Sequence, residues 1–339
     1  MPRKAIIRYA SLVVVLLVYG QLSILPAALP PLSALSPQDY GQSSEGEAAL
    51  AQQLQSTMGD YSFPEAAGIG KPVLISDRFK FTEGPVWDKQ RGVLLFSDIE
   101  ANRIYQLVLP NTLTVLREPS NKANGLAFDM ESNLIAAEHG SRSITRMLPD
   151  GKVEVLADDY LGRRFNSPND LIIRKDGTIY FTDPTFGLEN RQRDLDFMGL
   201  FRIEPSGELV LEARFSESPN GVALSPDESV LYLALTKADV ILAFDVNEDG
   251  SLGNKRKYTN IKQPDGIAVD AIGNIYAAGL EGIYVFSAEG VELGIIETIQ
   301  QPTNCDFGGQ NGDLLFITAR GCLYYMKVSL PSSLEGNRT

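Results

Sequence analysis

The stretch FNSPNDLIIRKDGTIYFTDP, residues 165–184, decides the fold. A polar pair, Asn169–Asp170, precedes a short apolar run; a turn carrying Gly177 and a second apolar run follow. Similar stretches begin at Thr82 (TEGPVWDKQRGVLLFSD), Ala123 (ANGLAFDMESNLIAAEH), Pro219 (PNGVALSPDESVLYLAL), Pro264 (PDGIAVDAIGNIYAAG) and Thr303 (TNCDFGGQNGDLLFITA). Each reads as a polar residue, a strand, a hairpin turn and a second strand. A third strand usually follows, as in NRIYQLVL, VILAFDV and CLYYMKV.

The leading polar residues are Glu83, Asn124, Asn169, Asn220, Asp265 and Asn304, at intervals of 41, 45, 51, 45 and 39. A strand-only period of this length is the signature of a β-propeller. Six repeats over residues 71–328 allow 258/6 = 43 residues each, enough for four strands. The expected fold is therefore all-β, a six-bladed β-propeller with four-stranded blades spanning 71–330. PVLISD, from Pro72, is expected to supply the outer strand of the last blade and close the ring. No long helical periodicity competes with this reading.

First strands line a propeller's channel, so the six leading residues are expected to converge at one mouth. All six carry side-chain oxygen. Asn-Gly and Asp-Gly pairs also serve simply as turn formers. Two carboxylates (Glu83, Asp265) with two amides (Asn169, Asn220) make a hard-ligand set suited to Ca²⁺, Mg²⁺ or Mn²⁺. Zn²⁺ more often recruits His or Cys. Second strands run back to the same face and end at Asp98, His139, Asp183, Thr236 and Arg320. His139 is the chain's one histidine. Asp170 and Asp183 are candidates to orient the ligands.

Lys plus Arg number 30 and Asp plus Glu 43, a net charge of −13. That balance opposes binding to nucleic acid, which needs a cationic face. The N-terminus differs from the body. Arg3, Lys4 and Arg8 precede an apolar run, Tyr9–Leu25, with no further charge before Asp39. Residues 1–28 read as a signal peptide or an N-terminal membrane anchor, which places the body outside the cytoplasm. Residues 29–70 read as a linker, with a short helix at Ser44–Met58, and 331–339 as a flexible tail. Cys305 and Cys322 fall on the first and third strands of one blade, too far apart for a disulfide. They are expected to be free and buried.

The motifs FTEGPVW, NSPNDLIIRKDGTIYFTDP, SPNGVALSPDESVLY, QPDGIAVDAIGNIYAA and PTNCDFGG resemble the family of senescence marker protein 30, gluconolactonase and related lactonases. The resemblance covers nearly all of residues 71–328. It implies one divalent cation at the channel mouth, Ca²⁺ first, held by Glu83, Asn169, Asn220 and Asp265. It also implies hydrolysis of a small lactone or ester, a sugar lactone first. The cation would polarise the ring carbonyl while Asp265 steers the proton of an attacking water, with His139 the second choice. AEHGSR, carrying His139 and Arg142, resembles the gluconolactonase branch. Asn124, Asp183 and Arg142 are the candidates for substrate contact. Mammalian members place an arginine where this chain has Ser167, so the sugar contact differs. Competing readings are an organophosphate hydrolase on the same ring, a ligand-binding propeller without turnover, and a strictosidine-synthase-like enzyme. The last would not need this ring.

Overall fold

A computed structural model describes residues 71–110 and 112–328, together with the backbone of a hairpin formed by β1 (Val15–Val18) and β2 (Gln21–Ile24). The chain divides into two compact units, Met1–Gln53, which holds that hairpin, and Leu54–Thr339, which holds the rest. Apart from the hairpin, the leader or anchor (1–28), the linker (29–70) with its helix and the tail (331–339) lie outside the described residues. Among the described residues no helix is long and apolar enough to cross a membrane.

The second unit contains six four-stranded antiparallel sheets, the expected blades. Their innermost strands are Thr82–Asp88, Ala123–Phe128, Leu171–Ile173, Pro219–Leu224, Ile267–Val269 and Asn304–Gly308. In the first five blades the four strands follow in sequence. Blade six takes three strands from the end of the described chain, the last being Cys322–Lys327, and its outer strand from the start, Val73–Ser76. The pairing is antiparallel, with Leu323 opposite Ser76 and Tyr325 opposite Val73. PVLISD thus closes the ring as its sequence predicts.

The core is six clusters, one at each interface between neighbouring blades. Side chains alternate across a strand, and a strand inside a blade has a neighbour blade on each face. Every residue of Val93–Asp98 is therefore buried. Leu94 and Phe96 pack toward blade six, while Val93 and Leu95 pack toward blade two. Each such fully buried aliphatic or aromatic side chain contributes about 1.5–3 kcal/mol. Outer strands have only one neighbour face. Thr112–Arg117 accordingly reads exposed for its first four residues.

Cys305 and Cys322 are both free and buried. Trp87 stacks on Phe316 at 5.5 Å between ring centroids.

Candidate active site at the channel mouth

Each inner strand begins at the same face, and that placement gathers the six leading residues. Glu83, Asn124, Asn169, Asn220 and Asn304 are buried, and Asp265 is half-buried. The small residues after them are explained by close approach between blades. A Cβ on Gly84 would lie 2.1 Å from the Asn124 carbonyl oxygen, and one on Gly221 would lie 2.1 Å from the Asp265 carbonyl oxygen. The backbone N–H of Gly125 donates to the Asn169 carbonyl at 2.8 Å, and that of Gly221 to the Asp265 carbonyl at 3.2 Å. The Asn-Gly and Asp-Gly pairs are thus contact points of the ring rather than turns.

Hydroxyls on the second strands, and at Thr236 just past the end of one, add a belt beneath. Ser97 Oγ donates to the Asn124 carbonyl at 2.7 Å, and Thr182 Oγ1 to the Asn220 carbonyl at 2.8 Å. Thr236 Oγ1 donates to the Pro264 carbonyl at 2.8 Å and accepts from the Asn220 amide at 3.0 Å.

Three carboxyls share this mouth. Burial, then Asp265 and Asp170, pushes the Glu83 carboxyl well above the usual range. Burial and then Asp170 likewise raise Asp265. Burial lifts Asp170 to about 7, against the opposing bonds that it accepts from Leu171 N–H (3.0 Å) and Val222 N–H (3.2 Å). None of the three has an ion-pair partner among the described residues, and burying unpaired charge is costly. The Asn304 carboxamide, from blade six, faces both Glu83 of blade one and Asp170 of blade three and favours the charged form of each. Asn220 faces the Asp265 carboxyl and favours its charged form. Asn169 is buried at the same mouth.

This donor set fits a hard divalent cation: mutually repelling carboxylates and neutral amide oxygens, with Arg320 acting on Asp265 without forming an ion pair to it among the described residues. Among the described residues no three His, Cys, Asp or Glu side chains form a ready-made metal cluster. The mouth relies on amides to complete the set.

The remaining candidates sit beside the ring. His139 Nε2 lies 3.3 Å from Asn124 Nδ2. An amide nitrogen only donates, so Nε2 accepts and the neutral ring carries its proton on Nδ1. Burial, then Arg191 and Lys122, lowers His139 to about 4. Asp183 is fully buried, and its oxygens accept from Asn166 N–H and Ser167 N–H, each at 2.8 Å. It braces the loop that presents Asn169. Arg142 donates to the Phe165 carbonyl and lies 3.7 Å from Asp194, which occupies its guanidinium beside the mouth. Asp98 accepts from Lys80 N–H and Phe81 N–H at 3.0 Å each, a structural role.

Sequence reasoning missed the connection between Asp183 and Met198. It reaches over blade two, where its 3₁₀ turn, Phe186–Leu188, covers His139. The signal for it was the longest interval between leading residues, 51.

Residues 81–321 match the family described as the SMP-30/gluconolactonase/LRE-like region. A gluconolactonase from Zymomonas mobilis is 34% identical over 279 residues, 73% of this chain and 78% of that protein. The solved structure of a gluconolactonase from Xanthomonas campestris superposes with a TM-score of 0.72 at 36% identity, covering 76% of this chain and 89% of the other. A calcium-binding protein, regucalcin, from Agrobacterium tumefaciens shares the fold at a TM-score of 0.64 and 20% identity, over 78% of this chain and 94% of that one.

Proposed function

This chain belongs to the SMP-30/gluconolactonase/LRE-like family, and on that basis we propose that it hydrolyses lactones at the channel mouth, sugar lactones first, with one divalent cation held by Glu83, Asn169, Asn220 and Asp265. The observation that carries the reading is the buried, unpaired Glu83 beside Asp170 and Asp265. Such a cluster is stable only when protonated or when neutralised by a cation. The calcium bound by the regucalcin relative makes Ca²⁺ the first choice.

When bound, such a cation polarises the lactone carbonyl and lowers the pKa of an adjacent water. The residues supply the rest. Asp265 reaches the mouth half-buried and takes the proton that the attacking water releases. It returns that proton to the ring oxygen as the C–O bond breaks, so one C–O bond forms and one is lost. Asn124, held by His139, donates to the substrate. His139 therefore orients rather than transfers, because its Nε2 is engaged by the Asn124 amide.

The test is a pH-stat screen of lactones, esters and organophosphates before and after chelation, with Ca²⁺, Mg²⁺, Mn²⁺ or Zn²⁺ restored. Turnover that survives chelation rejects the mechanism. Asp265→Ala is expected to abolish turnover, whereas His139→Ala retains a residue of it. Loss in the His139 variant alone reverses the assignment of the proton carrier.

A further inference from the structure

We propose that Arg191 is a positioning residue that staples the 184–197 connection onto blade two and so holds His139, and through it Asn124, in place. Its guanidinium spends its donors on backbone carbonyls of two segments. Nη2 donates to the His139 carbonyl at 2.7 Å, and Nη1 to the Gly140 carbonyl at 2.8 Å. Nε donates to the Leu188 carbonyl at 3.2 Å, and Nη2 also reaches the Gly187 carbonyl. Blade two and the 3₁₀ turn are thereby joined by one planar fork, which a lysine cannot reproduce.

The joint closes directly on the imidazole. A Cβ on Gly187 would lie 2.3 Å from His139 Cγ, so the turn's backbone lies against the ring and only glycine fits. Leu188, before Arg191 in the chain, and Leu195 and Phe197, after it, are buried. Lys122 pairs with Glu189 at the rim. The charged groups facing His139 are thus Arg191, Lys122 and Glu189. The proton-transfer chemistry needs none of these contacts. They fix the one ring that holds Asn124, and a fixed donor is what orients a substrate.

The consequence for substrate rests on the lactonase reading, but the contact itself does not. The chain has one histidine, so a single imidazole resonance reports its titration without assignment. Wild type is expected to titrate near 4. Arg191→Lys keeps the charge and loses the fork. Its midpoint is expected to rise toward the ordinary value of about 6.5, with faster hydrogen exchange over 184–197. Gly187→Ala, which leaves Arg191 intact and wedges the turn off the ring, is expected to do the same. On the substrate side, KM for the best lactone is expected to rise about tenfold with kcat little changed, the mark of lost uniform binding. If both variants titrate as wild type with unaltered exchange, the staple does not position His139 and the proposal fails. If titration and exchange move but no lactone is turned over even by wild type, the staple stands and the lactonase reading falls.

Discussion

Replacing Gly221 with alanine drives a methyl group between blades four and five. The new Cβ would stand 2.1 Å from the Asp265 carbonyl oxygen and 2.7 Å from Gly266 Cα. Ordinary contact begins at 3.4 Å, so one strand must retreat by about 3.4 − 2.1 = 1.3 Å. Both obstacles are backbone, so no side chain can swing away. Overpacking of this kind costs about 1–3 kcal/mol. The larger effect falls on the site. Either segment carries a residue of the site, Asn220 next to Gly221 on one side and Asp265 itself on the other, and a displacement of about 1 Å in a catalytic group can cost roughly 100-fold in rate. Gly207→Ala is the control. Gly207 has a positive φ of 88° with nothing within 4 Å of its Cβ, so that variant pays for backbone strain without moving the ring. Urea midpoints and kcat/KM for a sugar lactone, measured on both variants, separate the two effects. A Gly221 variant that stays folded and keeps its activity within threefold of wild type refutes the account of the ring, as does equal loss of activity in the Gly207 variant.

The histidine makes stability depend on pH. Its folded-state pKa of about 4 lies below the unfolded value, so its contribution is present above about pH 6.5 and is lost as pH falls toward 4. The difference amounts to about 3 kcal/mol, and comparing the denaturation of wild type and His139→Gln at pH 7.5 and 4.5 isolates it from the carboxyls. Arg117→Ala leaves Glu138, a fully buried carboxylate 2.8 Å from the lost guanidinium, without its cation. The expected cost is about 3–5 kcal/mol, read as a lower urea midpoint at pH 7. Burial raises the Cys305 thiol far above its ordinary value, and Cys322 is also buried. A chromogenic thiol reagent is therefore expected to react with neither in the folded protein and with both after denaturation.

The propeller was legible because its physics repeats. Gly177 and Gly273 mark hairpin turns, and strands with two packed faces leave long apolar runs such as VLYLAL. The six leading oxygens could be aligned for the same reason, since each occupies one structural position. What Gly221 and Gly84 do could not be read, because a tight turn and a close backbone approach both ask only for a missing Cβ. Arg142 and Asp183 illustrate a different limit. Both were named from the sequence as candidate substrate contacts, but their partners are the loop at 164–167 and Asp194, which only the folded path brings to them. Arg191 left no trace in the pattern, because its acceptors are carbonyls that every residue possesses. Asn304 was found as a member of the ring, yet its choice of Glu83 and Asp170 depends on the width of the channel.

Blade six joins Ser76 to Leu323, residues 247 positions apart. The first strand of the propeller to leave the ribosome must therefore wait, unpaired along its edge, until nearly the last one emerges. Five blades can stack as synthesis proceeds, but the circle locks only at the end. Long-range pairing of that kind slows folding and leaves a bare strand open to neighbours. Losing either latch strand is expected to leave an arc of blades that sticks to other copies of itself rather than a smaller working ring.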